Sequence, residues 1–497
     1  MTSTIELTSG TFTLDLNGFK LTQNTANTLF ALDGANFTIT DLSAEKTGEI
    51  SSTNTMFYVD SGSLKITNGT YNTLGGDYMF DQFSGTIIVE NGTFDAYEDI
   101  FFTEGNEGAT GLDIPNLTIE NGTFNAEDRA VCAYGGNIII KNGEFTANYT
   151  VYLDSDYCPL TATIYGGTFN SNYIALDCEG GEILIKGGTF TTNEEDYSTI
   201  YVNYYYSNLS EGYGDTQIMT IEGGKFTSDY YGIYINDMYE ENIIIKDGYF
   251  EGYYSGGYSD CTDNISLQGG TFKATATDEE DNDGAFSILK NNEETSILDL
   301  LGEGYIFDRE ETEEIEYDGD YYICTTAKTV NVIPEKRYTY KDTTNDVTID
   351  FPDGISNRYS VEVTKKEISE ELKSKNVLLL LDIVVKDLDG NVIDITDSNI
   401  KIKIPLTEEL KKYENYKIAY IKDGTIQETL EGKLVGNFIE FSTTHLSEYA
   451  LTGTLIEETV VEEKDVTPKT GNIQYTEISA LVIISVLISL ILLRKEL

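Results

Sequence analysis

Across residues 1–300 one phrase returns again and again: a strand-like stretch, a two-residue turn and an aromatic. It reads KITNGTY, IVENGTF, TIENGTF, IIKNGEF, TIYGGTF, LIKGGTF, TIEGGKF, IIKDGYF and SLQGGTF. The closing aromatics are Tyr71, Phe94, Phe124, Phe145, Phe169, Phe190, Phe226, Phe250 and Phe272. Most intervals run roughly 21 to 24 residues, and the longer ones before Phe124 and Phe226 mark insertions. SGTF, ending at Phe12, reads as an earlier copy with degenerate rungs between it and Tyr71. A fixed period of this size predicts a solenoid. Period-two alternation and β-branched residues exclude helical repeats, and the Leu/Asn framework of leucine-rich repeats is absent. What remains is a parallel β-helix: about three short strands per turn, with turns stacked at about 4.8 Å through main-chain hydrogen bonds.

The letters of the phrase then acquire physical roles. Gly69, Gly92, Gly122, Gly143, Gly167, Gly188, Gly224, Gly248 and Gly270 supply positive φ at a tight corner. The Asn, Asp or Gly before each tolerates the same conformations. The aromatic two residues on is predicted to point inward and lie on its counterpart, at about 0.5–1.5 kcal/mol per ring pair beyond area burial. NGT also matches the N-glycosylation pattern, but corner chemistry accounts for it without a sugar. The pattern resembles the right-handed parallel β-helix proteins of the pectin-lyase-like superfamily. It resembles more closely the GG-T-F repeat proteins displayed by Gram-positive bacteria. That resemblance implies a right-handed parallel β-helix; it constrains function far less, because such folds host many activities.

A formal net charge of −53 excludes nucleic acid and anionic membrane surfaces as partners. It suits a self-repelling surface or one that gathers cations. Cys132, Cys158, Cys178, Cys261 and Cys324 are odd in number and lack CxxC spacing, so they are read as small buried hydrophobes. Cys132 and Cys178 follow a repeat Phe by eight and nine residues and are expected in similar places. The chain opens directly on strand-like sequence with no capping helix or signal peptide, which leads us to expect a longer natural amino terminus. Glu279, Asp281 and Asp283 are spaced like the start of an EF-hand loop. The twelfth position is Lys290, where a bidentate carboxylate is required, so the stretch is read as a solvated acidic loop.

Beyond the repeat, residues 301–335 read as an acidic capping or transition segment. Residues 336–454 read as an antiparallel β-sandwich of about seven or eight strands, with hairpin turns at DLDGN and KDGT and a short helix in KKEISEELKSK. IKIPL followed by IEFSTTHLSEYAL resembles stalk modules near the wall anchor of Gram-positive surface proteins. The only histidine, His445, lies in that run and is assigned a structural role.

Residues 455–466 form an acidic linker. TPKTG (Thr467, Pro468, Lys469, Thr470, Gly471), a polar spacer, an apolar run over 478–493 and RKEL close the sequence. Over 467–497 this order resembles the LPxTG-type sorting signal, with Thr467 departing from the usual Leu. The resemblance implies a sortase as partner, cleavage of the Thr470–Gly471 bond, transfer of Thr470 to a peptidoglycan precursor, and a cell-wall location. Residues 478–493 would be a C-terminal transmembrane helix before sorting.

For the solenoid itself, a displayed rod or adhesin that binds a glycan or host-surface ligand is expected, without enzymatic activity. The alternative is a surface-anchored polysaccharide lyase or glycoside hydrolase. Arg129 is the one arginine before residue 300. Asp154, Asp156, Asp177 and Glu179 fall in neighbouring rungs and could form a cation ladder, which makes Ca²⁺ the one cofactor considered; in so acidic a chain, a solvated face is the simpler reading. Tyrosines cluster near the longest insertion. Tyr204, Tyr205, Tyr206, Tyr230, Tyr231, Tyr253 and Tyr254 are the candidate ligand contacts, since a phenol ring can stack on a sugar while its hydroxyl hydrogen-bonds.

Overall fold

The computed structural model describes residues 3–203, 218–236, 242–277, 283–317, 319–395 and 399–456. The protein is all-β, about 58% strand, and its one α-helical turn among the described residues is Glu370–Lys373. The first part is a parallel β-helix of about 10 turns. Each turn contributes up to three short strands. Thr86–Val89, Thr93–Ala96 and Asp99–Thr103 make one turn, and Asn116–Ile119, Thr123–Ala126 and Arg129–Ala133 lie on them in parallel register. The three stacks are called here face 1, face 2 and face 3, in that order.

The ring column occupies face 2. All nine predicted aromatics from Tyr71 to Phe272 are fully buried. Successive rings lie 4.3 to 5.0 Å apart with planes within 20°. The corner glycine is required twice over, as Gly122 illustrates. Its φ is +149°, and a Cβ there would come 2.8 Å from Phe124 Cζ and 3.1 Å from the Gly92 carbonyl. That carbonyl accepts the Thr123 N–H at 2.9 Å, so corners stack through the main chain as well as through rings. The turn asparagines extend the stack outside: Asn142 donates to Asn121 Oδ1 at 2.9 Å and Asn121 to Asn91 Oδ1 at 3.3 Å.

Two expectations about register are corrected. Phe12 is not the first ring of the column. It pairs with Phe37, and that row runs on through Leu64 and Ile87 on face 1, whereas Tyr71 is preceded by Ile50 and Leu21. Phe12 is 43% exposed while Phe37 is buried; a glycine corner followed by an aromatic thus occurs at more than one vertex of the coil, and the phrase alone does not name its face. Cys132 and Cys178 are also not equivalent. Cys132 pairs with Phe102 and Tyr152, whereas Cys178 pairs with Leu153 and Val202, one position further along the strand and on its other side. All five cysteines are buried and free. A second aromatic stack escaped the sequence reading: Phe30, Phe57, Phe80 and Phe101 line the inside of face 3 at 4.7 to 5.6 Å.

The far end is closed by strands that reverse direction. Thr329–Pro334 runs antiparallel on Thr271–Ala274, and Asp320–Thr325 runs antiparallel on Phe286–Leu289. Thr312–Tyr317 completes a hairpin whose exposed outer strand carries Glu313, Glu314 and Glu316, which discourages edge-to-edge pairing. Lys290 pairs with Glu314 there, at 2.6 Å; Glu279 and Asp281 of the EF-hand-like stretch lie outside the described residues.

Residues 336–456 form a five-stranded and a six-stranded antiparallel sheet, more strands than the sequence suggested. Both sheets contribute to one core that includes Phe351, Ile383, Ile402, Phe441 and Tyr449. Asp423 and Gly424 both take positive φ in the KDGT hairpin, as a type I′ turn needs. Arg358 donates to the Phe307 carbonyl and Asn357 to that of Pro334, which ties the sandwich to the cap. Thr467–Gly471 and the apolar run 478–493 lie outside the described residues. Among the described residues, no helix is long and apolar enough to cross a membrane.

Candidate functional site

Most outward positions on faces 1 and 2 carry β-branched or short polar side chains, such as Thr118, Ile139 and Thr163 on face 1 and Asn125, Thr146 and Asn170 on face 2; the last turns of face 2 add a paired cluster of Tyr249, Glu251 and Lys273. Face 3 differs. Its middle outward row passes from Cys132 to Tyr152, Asp177, Tyr201, Tyr234 and Tyr258 in successive turns. A second row, formed by the residue that leaves each strand, passes from Tyr134 to Asp154, Glu179, Asn203, Asn236 and Asp260; each N–H donates to a carbonyl of the preceding turn. Strand alternation and parallel register thus turn scattered letters into one strip of phenols, carboxylates and amides.

An acid cluster forms the first half of the strip. Asp154 and Asp177 are buried, each 7% exposed, and burial pushes both up to about 7. Neighbouring carboxylates push the same way. The Tyr152 phenol donates to Glu179 Oε2 at 2.9 Å and faces Asp154 Oδ2 at 3.5 Å. Burial also raises Glu179. Of the four acids expected to form a ladder, these three come together, while Asp156 sits on the exposed turn beside them. No group of His, Cys, Asp and Glu among the described residues is arranged to hold a metal ion.

Arg129 borders the cluster but is already engaged. Its Nε lies 3.2 Å from Asp128 and 3.6 Å from Asp99, its Nη1 donates to Cys132 Sγ at 3.1 Å, and the guanidinium lies over the Tyr152 ring. Burial pushes Asp99 up to about 7 despite the arginine's opposing pull. The Cys132 thiol is raised to about 12, chiefly by burial, so it is no nucleophile at neutral pH.

The second half of the strip opens into a cleft of about 470 Å³ near the cap. Tyr230, Tyr231 and Tyr254 line it with Asp196 and Asp283, and the capping hairpin adds Ile315, Tyr317 and Tyr322. Tyr231 stacks on Tyr258 at 4.9 Å and faces Asp283 Oδ2 at 3.4 Å. Tyr234 and Tyr258 both donate to Asp260, at 2.9 and 2.5 Å. Burial raises all three phenols, so they keep their protons and donate. Of the predicted tyrosines, Tyr230, Tyr231 and Tyr254 meet in the cleft and Tyr253 packs edge-on against Tyr254 at 5.1 Å. Tyr204, Tyr205 and Tyr206 lie outside the described residues.

No family model, curated protein or solved structure matches this chain.

Tyr152 and the acids Asp196 and Asp260 are absent from the sequence reading, while Tyr234 and Tyr258 fall in the tyrosine-rich stretches 229–234 and 252–258 without being named as contacts. A signal for the strip was present: Cys132, Asp177, Tyr234 and Tyr258 each stand eight residues after a column ring. His445 lies far from this strip in sequence and serves the sandwich. Its carbonyl accepts from the buried Tyr449 phenol at 2.5 Å, and its ring packs edge-on against Tyr420 at 4.5 Å.

Proposed function

We propose that the chain is a cell-surface protein whose right-handed β-helix is a displayed, non-enzymatic rod that binds a carbohydrate along face 3. One observation carries this reading: face 3 alone aligns phenol rings with hydrogen-bonding carboxylates and amides over successive turns. Ring faces suit the C–H faces of sugars, and the flanking Asp, Glu and Asn side chains suit hydroxyls. In this reading the tail resembling a sorting signal makes the protein a sortase substrate, joined through Thr470 to peptidoglycan. A glycan array probed with the full chain tests the binding. Saturable binding of a glycan that Tyr152→Ala and Tyr201→Ala both weaken supports it, and a blank array counts against it. For the anchor, mass spectrometry of wall fragments should find the chain ending at Thr470; release of intact chain by detergent alone would refute attachment.

The acid cluster favours a second reading, as a glycoside hydrolase. A carboxyl pushed up to about 7 at Asp154 or Asp177 beside a second carboxylate is the pairing that general-acid cleavage uses. Release of reducing sugar ends, abolished by Asp177→Asn, would establish it over the binding rod.

A further inference from the structure

The hydrogen bonds already made along face 3 decide what a ligand must bring to it. The Tyr152 phenol donates to Glu179 at 2.9 Å, and Tyr234 and Tyr258 donate to Asp260 at 2.9 and 2.5 Å. A phenol has a single proton, so these three hydroxyls meet a ligand as acceptors. An ionised carboxylate only accepts, at about four lone-pair sites, so Glu179 and Asp260 keep room for further donors. Asp177 lacks even a first one. It stands in the middle outward row, 7% exposed, and its buried Oδ1 has no hydrogen-bond partner. A buried acceptor without a donor carries an uncompensated desolvation cost, which a ligand hydroxyl would relieve. Cations are missing where an anionic ligand would need them. Neither row of the strip carries Lys or Arg among the described residues. Arg129, which bears on Asp177, is held by Asp128 and Asp99, while Lys225 and Lys273 stand on face 2. Donors that remain in the strip, such as the Tyr201 hydroxyl and the Asn203 amide, are neutral.

We propose that face 3 selects uncharged glycans with free hydroxyl groups, which donate to Asp177, Glu179 and Asp260, and rejects chains that carry uronate, sialate or sulfate groups or blocked hydroxyls. This names the ligand class of the binding face and rests on the carbohydrate reading above. An anionic sugar would meet like charge at Asp154, Asp177 and Glu179. A bridging cation could reverse that repulsion, but no described group of acids is arranged to hold one. An O-methylated sugar avoids the repulsion and still fails, because an ether oxygen has no proton for the carboxylates. Charge and donor count therefore act as two separate filters on one surface.

A glycan array probed with the full chain at about pH 8, where Asp154 and Asp177, held up to about 7, are ionised, gives the first readout: its hits should be neutral. The strongest hit is then titrated by calorimetry in three forms: unmodified, oxidised to uronate at its primary hydroxyls, and O-methylated. A like charge at about 6 Å through water costs about threefold in affinity, so two of them should weaken the uronate form about tenfold. The methyl ether should lose at least as much. Asp177→Asn should weaken the unmodified glycan several-fold and narrow its advantage over the uronate form, with an unchanged circular dichroism spectrum showing that the solenoid persists. Acidic hits, a uronate form that binds as tightly as the neutral one with or without added Ca²⁺, or an ether that binds undiminished would overturn the selectivity and leave face 3 a binding face. A blank array would overturn the binding reading and the selectivity with it.

Discussion

Removing one ring from the middle of the column has a cost that the stacking distances let us work out. Phe169 is fully buried between Phe145 at 4.7 Å and Phe190 at 4.3 Å, with planes within 5° of each. Leucine keeps most of the apolar burial but loses both ring contacts. At about 0.5–1.5 kcal/mol per pair, Phe169→Leu should cost about 1–3 kcal/mol. Phe190→Leu loses its contacts with Phe169 and with Phe226 at 5.0 Å, and should cost a similar amount. The double variant loses three pairs instead of four, because the Phe169–Phe190 pair is common to both. The cycle should therefore fall short of additivity by one pair, about 0.5–1.5 kcal/mol. Phe94 and Phe190, several turns apart, should be additive within about 0.5 kcal/mol. Urea unfolding, followed by native-state hydrogen exchange across the affected turns, would measure both cycles. Full additivity for the neighbouring pair, or equal coupling for the distant one, would refute the claim that the rings stabilise each other directly.

Acidification should stabilise the solenoid. Asp99, Asp154 and Asp177 are held at about 7 in the fold against 3.8 when free, so between those values the folded state binds protons that the unfolded chain does not. Stability is then greatest below about pH 4 for these groups and is lost as pH rises through 7, by on the order of 4 kcal/mol for Asp177 alone. The melting temperature should rise from pH 8 to pH 5, and Asp177→Asn should raise it at pH 8 and flatten the profile; a falling melting temperature would contradict this. The paired glycines of YGGTF should respond unequally to alanine. Gly167, at φ +122° with a Cβ position 3.1 Å from the Gly143 carbonyl, should cost about 1–2 kcal/mol or more, whereas Gly166, whose Cβ would meet nothing nearer than 3.6 Å, should change stability by less than about 0.5 kcal/mol, both measured by urea unfolding. In the sandwich, Tyr449→Phe removes the hydroxyl that donates to His445 and pairs with Thr443 at 2.7 Å, and should cost about 1–3 kcal/mol in thermal unfolding.

The ring column was legible because it needs a glycine and an aromatic at fixed spacing, and both leave an unmistakable letter. The second stack was not, because Phe30, Phe57, Phe80 and Phe101 follow variable loops and give way to Val131 and Val151 in the next turns. An interior that accepts a ring in one turn and a valine in the next leaves no constant phrase. Phe12 shows the converse: the phrase was present, but the vertex it marks is set by pairing with Phe37, which only the coil's geometry decides. The site was legible in part. Tyr230, Tyr231 and Tyr254 stood out as clusters of adjacent tyrosines, with Tyr258 at the end of the same stretch, while Asp260 looked like an isolated residue until register placed it beside Tyr234 and Tyr258. Asp283 reaches the same cleft from the segment just ahead of the last parallel strand, Phe286–Leu289, and Tyr322 through the strand reversal at the cap; no periodicity could have signalled either.

The corner carbonyls carry one more consequence. Each glycine C=O accepts from the turn that follows it, and each turn offers an equivalent carbonyl onward. A segment copied or deleted between two such glycines therefore hands its neighbours an unchanged row of donors and acceptors. Unequal recombination within the gene could thus lengthen or shorten the molecule in increments of about 4.8 Å. The distance between the cap and whatever the opposite end touches becomes a heritable dimension, adjustable without disturbing the main-chain pairing at the corners.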